Sequence, residues 1–139
     1  MTTTAPSYLS SVLAPGPQLL RLSLRSDAVV TGVNGLAYLA LAKPLETLLG
    51  LDTEIGIPIG IFLTLYGVAV AIIGTRQTIS TNATRVVIAG NAAWVVVSLA
   101  ALIEGALDLN PVGSIWTVMQ AATVGGFAAL QYLGLRKAR

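Results

Sequence analysis

Asn34, Asn91, Gln120 and Gln131 interrupt long apolar stretches of the chain, and Glu104 and Asp108 stand four residues apart at the edge of one stretch. Carboxylates one helical turn apart can move protons or hold a cation. Amides in an apolar segment need hydrogen-bond partners, and can serve as partners to a ligand. Beyond these groups the chemical repertoire is narrow. The chain has no His and no Cys, which excludes Ser–His and Cys–His nucleophile pairs, imidazole or thiolate metal sites and thiol redox chemistry. No glycine-rich phosphate loop or nucleophile elbow occurs. With no other catalytic group nearby, Glu104 and Asp108 read as a solvated boundary, one turn apart on one helix face. The expectation is a protein with no enzymatic activity, no cofactor and no metal.

The elements that hold these amides follow from composition. Of 139 residues, 55% are hydrophobic and 10% charged, whereas a water-facing domain carries about 25% charge. The mean hydropathy is +0.80. Such a chain dissolves in a bilayer. Charges mark the boundaries: the uncharged gaps are 28–42, 55–75, 86–103 and 109–135. Crossing a hydrocarbon core takes roughly 17–25 residues of helix. Three gaps meet this directly, and the first can borrow length because Lys43 can snorkel. IFLTLYGVAVAII and WVVVSLAALI are continuously apolar, which excludes the alternation of a β-barrel, and helices satisfy every backbone group internally. The sequence predicts an all-α membrane four-helix bundle with spans near 27–42, 56–74, 84–103 and 112–134.

Punctuation supports these limits. Ser26-Asp27 and Thr81-Asn82 read as N-caps of the first and third spans. Pro58 and Pro111 fall in the first turns of the second and fourth, and Gly134 reads as the stop of the last. Pro44–Leu49 reads as a short interfacial helix with Pro44 as its first residue. Residues 1–18 are Ser/Thr/Pro-rich and uncharged, and are expected to be disordered, ahead of a transmembrane domain over 19–139. Leu19–Arg25 reads as a segment on the membrane surface, or an ordinary solvated lead-in.

The bases divide sharply. Arg21, Arg25, Arg76, Arg85, Arg136, Lys137 and Arg139 fall on one side and Lys43 alone on the other; the acids are reversed except for Asp27. The positive-inside rule then places both termini in the cytoplasm and the protein in the cell membrane. The pI of 9.3 follows from this topology, with the lipid bilayer as partner and no nucleic acid.

The halves of the chain echo one another. Val29–Asn34 aligns with Val86–Asn91, an aromatic follows each Asn (Tyr38, Trp94), Pro58-Ile59-Gly60 answers Pro111-Val112-Gly113, and Thr64 falls where Thr117 does. Two tandem helical hairpins in parallel repeat would give this pattern. Asn34 and Asn91 would then face each other and bond across the bundle. Gln120, Val124, Phe127 and Gln131 share one face of the fourth helix. The leading reading of Asn34, Asn91, Gln120 and Gln131 is glue between helices, each bond contributing about 0.6 kcal/mol; the alternative is a small polar pocket, or a pore. Gly56/Gly60, Gly67/Ala71 and Ala121/Gly125 have small-residue spacing for close helix approach. Trp116 and Tyr132 fit an interfacial belt.

Asp27–Leu39 with Pro44-Leu45 and Leu48–Leu51, Asn91–Ser98, and Gln120-Ala121 with Phe127–Gln131 resemble a group of uncharacterised small four-span integral membrane proteins of actinobacteria, over nearly the whole chain after residue 18. The resemblance implies the four-span fold and the membrane location, and that the Asn34, Asn91–Trp94 and Gln120 phrases are characteristic of the group. It implies no activity. The expected function is a non-enzymatic membrane component that packs with a partner protein or a second copy of itself. The alternative is a small dimeric transporter or lipid-binding carrier, against which stands the lack of a charged residue inside the predicted spans.

Overall fold

The computed structural model describes residues 16–137, and these form five helices with no strand among them. They are α1 (Gly16–Ala40), α2 (Ala42–Leu49), α3 (Thr53–Thr75), α4 (Thr81–Glu104) and α5 (Pro111–Lys137). Residues 1–15, most of the segment expected to be disordered, lie outside the described residues; Gly16-Pro17-Gln18 open α1.

The largest departure from the sequence reading is the start of α1. It begins eleven residues before Asp27, and Ser26-Asp27 is mid-helix rather than a cap. Leu19–Arg25 belongs to the same helix, with Leu19, Leu20 and Leu24 buried, and does not lie apart on a surface. The reason is a stripe. Leu20, Leu24, Asp27, Thr31, Gly35 and Tyr38 recur at three- and four-residue spacing and are all buried, the signature of a helix with one packed face. Arg21 and Arg25 leave that face. Arg21 donates to the carbonyls of Gly74 (2.9 Å), Arg76 (2.7 Å) and Gln77 (3.0 Å), and Arg25 to that of Gly74 (3.0 Å). They thereby occupy carbonyls at the end of α3 and just beyond it that have no helical partner.

Pro44 ends α1, because it has no N–H to offer the carbonyl of Ala40. The chain turns at Leu41, bends by 94° into α2 and stops at Gly50, whose φ of 76° suits glycine. Pro44 is the third residue of α2 rather than the first. Asp52 caps α3 by accepting from Glu54 N at 2.9 Å, so α3 begins earlier than expected and Pro58 is its sixth residue, beyond the first turn. Ser80, not Thr81-Asn82, caps α4 through Ala83 N (3.1 Å). Pro111 opens α5 as expected, behind Asn110, whose side chain accepts from Gly113 N (2.8 Å). Gly134 is not a stop: α5 runs on to Lys137, and a Cβ at Gly134 would stand 2.8 Å from Leu20 N. Glu104 ends α4, Gly105 turns left-handed and Asp108 lies in the loop, so the two acids do not share a helix face.

The long helices alternate in direction. α1 packs against α3 on one side and α5 on the other, α5 packs against α4, and α3 barely touches α4. The α1–α3 seam uses Gly60, Gly67 and Gly74, seven residues apart, instead of the Gly56/Gly60 pair. A Cβ on Gly67 would lie 2.8 Å from Gly32 Cα. Two apolar clusters fill the ends: Leu20, Leu24, Ala28, Val70, Val87 and Leu135 near the basic end, and Tyr38, Leu49, Leu51 and Leu63 near the other.

Helices α3 and α4 are long and apolar enough to cross a membrane, with mean hydropathies of 2.2 and 2.3, and the bent pair α1–α2 passes if taken as one broken span. α5 has the length, at 27 residues, but not the apolarity.

Candidate functional site

Asp27 is fully buried, and so is Gln131; Asn91 is 3% exposed. The buried stripe of α1 carries Asp27 inward toward Asn91 on α4 and Gln131 on α5. Asn91 Nδ2 and Gln131 Nε2 both donate to Asp27 Oδ2 at 2.8 Å, and Thr31 Oγ1 donates to Oδ1 at 2.8 Å. Asn91 Nδ2 also reaches Gln131 Oε1 at 3.0 Å. From α3, the Tyr66 hydroxyl has two acceptors, the Val87 carbonyl at 3.0 Å and Asn91 Oδ1 at 3.1 Å. Three helices thus meet at one carboxylate, whose partners are all neutral, and the fourth, α3, joins the cluster through Asn91. A buried carboxylate is costly without donors or a counter-charge; here three donors offset part of that cost.

This cluster forms one wall of a cavity of about 220 Å³, to which Thr31, Tyr66 and Asn91 contribute. Asn34, Tyr38, Phe62, Trp94, Trp116 and Gln120 are also on its walls. Phe62 stacks on Trp94 with ring centroids 5.6 Å apart. Val30, Met119 and Thr123 line the cavity and are themselves exposed, so it is open to the surroundings. A second cavity of about 200 Å³ lies toward the acidic end and shares Tyr38, Trp94, Trp116 and Gln120 with the first. Two bridges stand between them. Trp116 Nε1 donates to Tyr38 Oη at 2.8 Å, and Trp94 Nε1 donates to Gln120 Oε1 at 3.0 Å, with Gln120 Nε2 near Ser98 Oγ at 3.3 Å.

The sequence-selected residues therefore gather at this site, though not in the expected pairs. Asn34 and Asn91 both line the cavity but do not bond across it: Asn34 Nδ2 donates within its own helix to the Val30 carbonyl at 2.9 Å. Asn91 meets Asp27 and Gln131 instead. Gln120, Val124, Phe127 and Gln131 face inward, as their spacing predicts. Trp116 is partly buried and packs on the cluster at the acidic end; Tyr132 is 53% exposed, with the Arg136 guanidinium 5.9 Å from its ring. Thr64 and Thr117, matched in the internal echo, make the same local bond, to the carbonyls of Gly60 (2.8 Å) and Gly113 (2.9 Å). The close α1–α5 seam has no counterpart between α3 and α4.

Sequence reasoning missed Asp27 and Tyr66. Asp27 was hidden by its neighbours: with Arg21 and Arg25 nearby it reads as flanking charge. The signal that reveals it is the stripe Leu20–Leu24–Asp27–Thr31. Tyr66 carries no comparable signal, since one Tyr in an apolar helix looks like packing.

No family model, curated protein or solved structure matches the chain.

Proposed function

We propose that this chain is a four-span membrane protein with both termini in the cytoplasm, and that it binds a small molecule inside the bundle as a carrier or receptor. The observation that carries the reading is the open cavity of about 220 Å³ with aromatic walls and a few fixed polar groups. Binding sites for small molecules have that make-up, mostly apolar with a small number of placed hydrogen-bonding groups. The ligand class follows from the lining. Phe62, Trp94 and Trp116 favour a flat apolar body, and Asn34, Gln120 and the Tyr66 hydroxyl favour one or two neutral hydrogen-bonding substituents. Asp27 inside α1 removes the objection that the spans hold no charge. The antiparallel packing of α5 against α1 and α4 supports counting it as the fourth span, since its polar residues Gln120 and Gln131 face inward.

The chain's only two tryptophans, Trp94 and Trp116, both line the cavity, so their fluorescence tests the reading. Titrating the detergent-purified protein with 4-bromophenol is expected to quench it saturably. Thr123→Phe, which fills the cavity from an exposed position, is expected to abolish saturation. Quenching that rises linearly and equally in both proteins would contradict a binding site.

A second reading, a non-enzymatic component packing with a partner or with its own copy, is favoured by one surface. Ala122, Gly126 and Ala129 are exposed on α5 and open space lies over Gly126. The two readings are compatible, and cross-linking in membranes through this face tests the second.

A further inference from the structure

We propose that the cavity opens sideways into the bilayer between α1 and α5. Its ligand is then a lipid-soluble ring, with an oxygen substituent bound inside and an alkyl tail passing out through that opening. The proposal deepens the ligand-binding reading and rests on it.

Helical spacing identifies the edges along which the two helices meet. Asp27, Asn34 and Tyr38 recur at seven and four residues and share one edge of α1, while Gly32 on the other edge meets Gly67 of α3. Trp116, Thr123, Phe127 and Gly134 share an edge of α5 in the same way. Three contacts join these edges. Gln131 Nε2 donates to Asp27 Oδ2 at 2.8 Å, Trp116 Nε1 donates to Tyr38 Oη at 2.8 Å, and Gly134 lies against Leu20. Between the fastenings at Asp27 and Tyr38, no hydrogen bond among the described residues joins α1 to α5. The cavity reaches the surface at that level. Val30 and Asn34 of α1 and Met119 and Thr123 of α5 line it there, and all but the half-buried Asn34 are exposed.

The other sides are filled. Phe62 of α3 stacks on Trp94 of α4, and the Tyr66 hydroxyl reaches the Val87 carbonyl at 3.0 Å across the same gap. Leu20, Leu24, Val70, Val87 and Leu135 pack the basic end. Toward the acidic end stand the Trp116–Tyr38 and Trp94–Gln120 bridges.

The height of the opening names the solvent it faces. Val30 is the fifteenth of the 25 residues of α1, and Thr123 the thirteenth of the 27 of α5. In a four-span bundle both lie near the centre of the hydrocarbon core. Outside the opening a shallow groove runs toward the basic end, lined by Val29, Val30 and Phe127 with Arg25 and Ser26 beyond, and Val30 belongs to cavity and groove alike. The Tyr66 hydroxyl and Gln120 stand on the inner walls, so the oxygen substituent bonds inward. The tail then lies in the opening and along the groove, in contact with lipid and out of water.

Photo-cross-linking reads the position of the tail. The probe is 4-hexylphenol carrying a diazirine at the end of its tail, irradiated with the protein in lipid nanodiscs, and labelled residues are mapped by mass spectrometry. Label is expected on Val29, Val30, Met119 or Phe127. It is expected to be lost in excess 4-bromophenol, which fills the ring site without a tail, and to be lost in Thr123→Phe. Competed label on Ser98, Ala101 or Leu107, which line the second cavity, would overturn the proposal by placing the exit at the acidic end. Competed label on Phe62 would overturn it by placing the exit between α3 and α4. Label beside Val30 that persists in excess 4-bromophenol would overturn it too, since the tail would then mark ordinary lipid contact. Saturable quenching of Trp94 and Trp116 by 4-bromophenol, with label elsewhere, would keep the binding site and remove the side opening. Quenching that never saturates would remove both.

Discussion

The side-chain amide of Asn91 on α4 donates to the carboxylate of Asp27 on α1 at 2.8 Å, joining two helices through residues 64 apart in sequence. Asn34 on α1, by contrast, bonds only to the carbonyl one turn back on its own helix. The two asparagines look equivalent in the sequence and are not equivalent in their partners.

Asn91→Leu is expected to destabilise the protein by roughly 2–4 kcal/mol, because it strips a donor from a buried carboxylate and orphans Gln131 Oε1. Asn34→Leu is expected to cost less than about 1 kcal/mol, since the bond it removes is local. Equilibrium unfolding in mixed micelles checks the pair. Equal losses would contradict the assignment of Asn91 to the cluster.

Gly67 lies where α1 and α3 come closest, and a Cβ there would stand 2.8 Å from both Gly32 N and Gly32 Cα. Backbone of one helix cannot give way as a flexible side chain can. Gly67→Val is therefore expected to cost roughly 1–3 kcal/mol through overpacking, whereas Gly126→Ala, with nothing within 4 Å, should leave thermal stability unchanged. The melting temperatures of the two variants in one detergent make the comparison.

Arg21 spans three carbonyls at the end of α3. Arg21→Gln cannot reach all of them, and the last turn of α3 is expected to fray while the rest of the helix holds. Hydrogen exchange should quicken at Ile72–Thr75 and stay unchanged at Leu63–Gly67.

How much of this was legible in the sequence depended on what the surrounding residues disguised. The existence of α3, α4 and α5 followed from uncharged runs bounded by charge, and the place of Pro111 in the first turn of α5 from turn chemistry. Helix α1 was misjudged at its start because Arg21, Arg25 and Asp27 interrupt the apolar gap. The gap argument counts charges without asking which face they occupy, and here two point out and one points in. Gln120 and Gln131 were found by their common face. Asp27 was not, because a carboxylate beside basic residues at the end of a hydrophobic run is normally a boundary. A small polar pocket was the alternative reading of the amides, but its aromatic walls were not legible, since helices α3 and α4, which bring Phe62 and Trp94 to it, make few contacts with each other and no local pattern encodes that.

The crossing of a membrane by all four long helices is the premise beneath the site, and α5 is the helix on which it is least secured by hydropathy. The chain contains no cysteine, so single cysteines can be introduced against a silent background and probed with a membrane-impermeant maleimide in sealed, oriented vesicles. Val118, Ala122 and Ala129, exposed on α5, are expected to be unreactive from either side when replaced by Cys. Asn82→Cys is expected to react only from the cytoplasmic face, and Ala106→Cys only from the opposite one. Labelling along α5 from the aqueous phase, or labelling of Asn82→Cys and Ala106→Cys from the same face, would contradict the account.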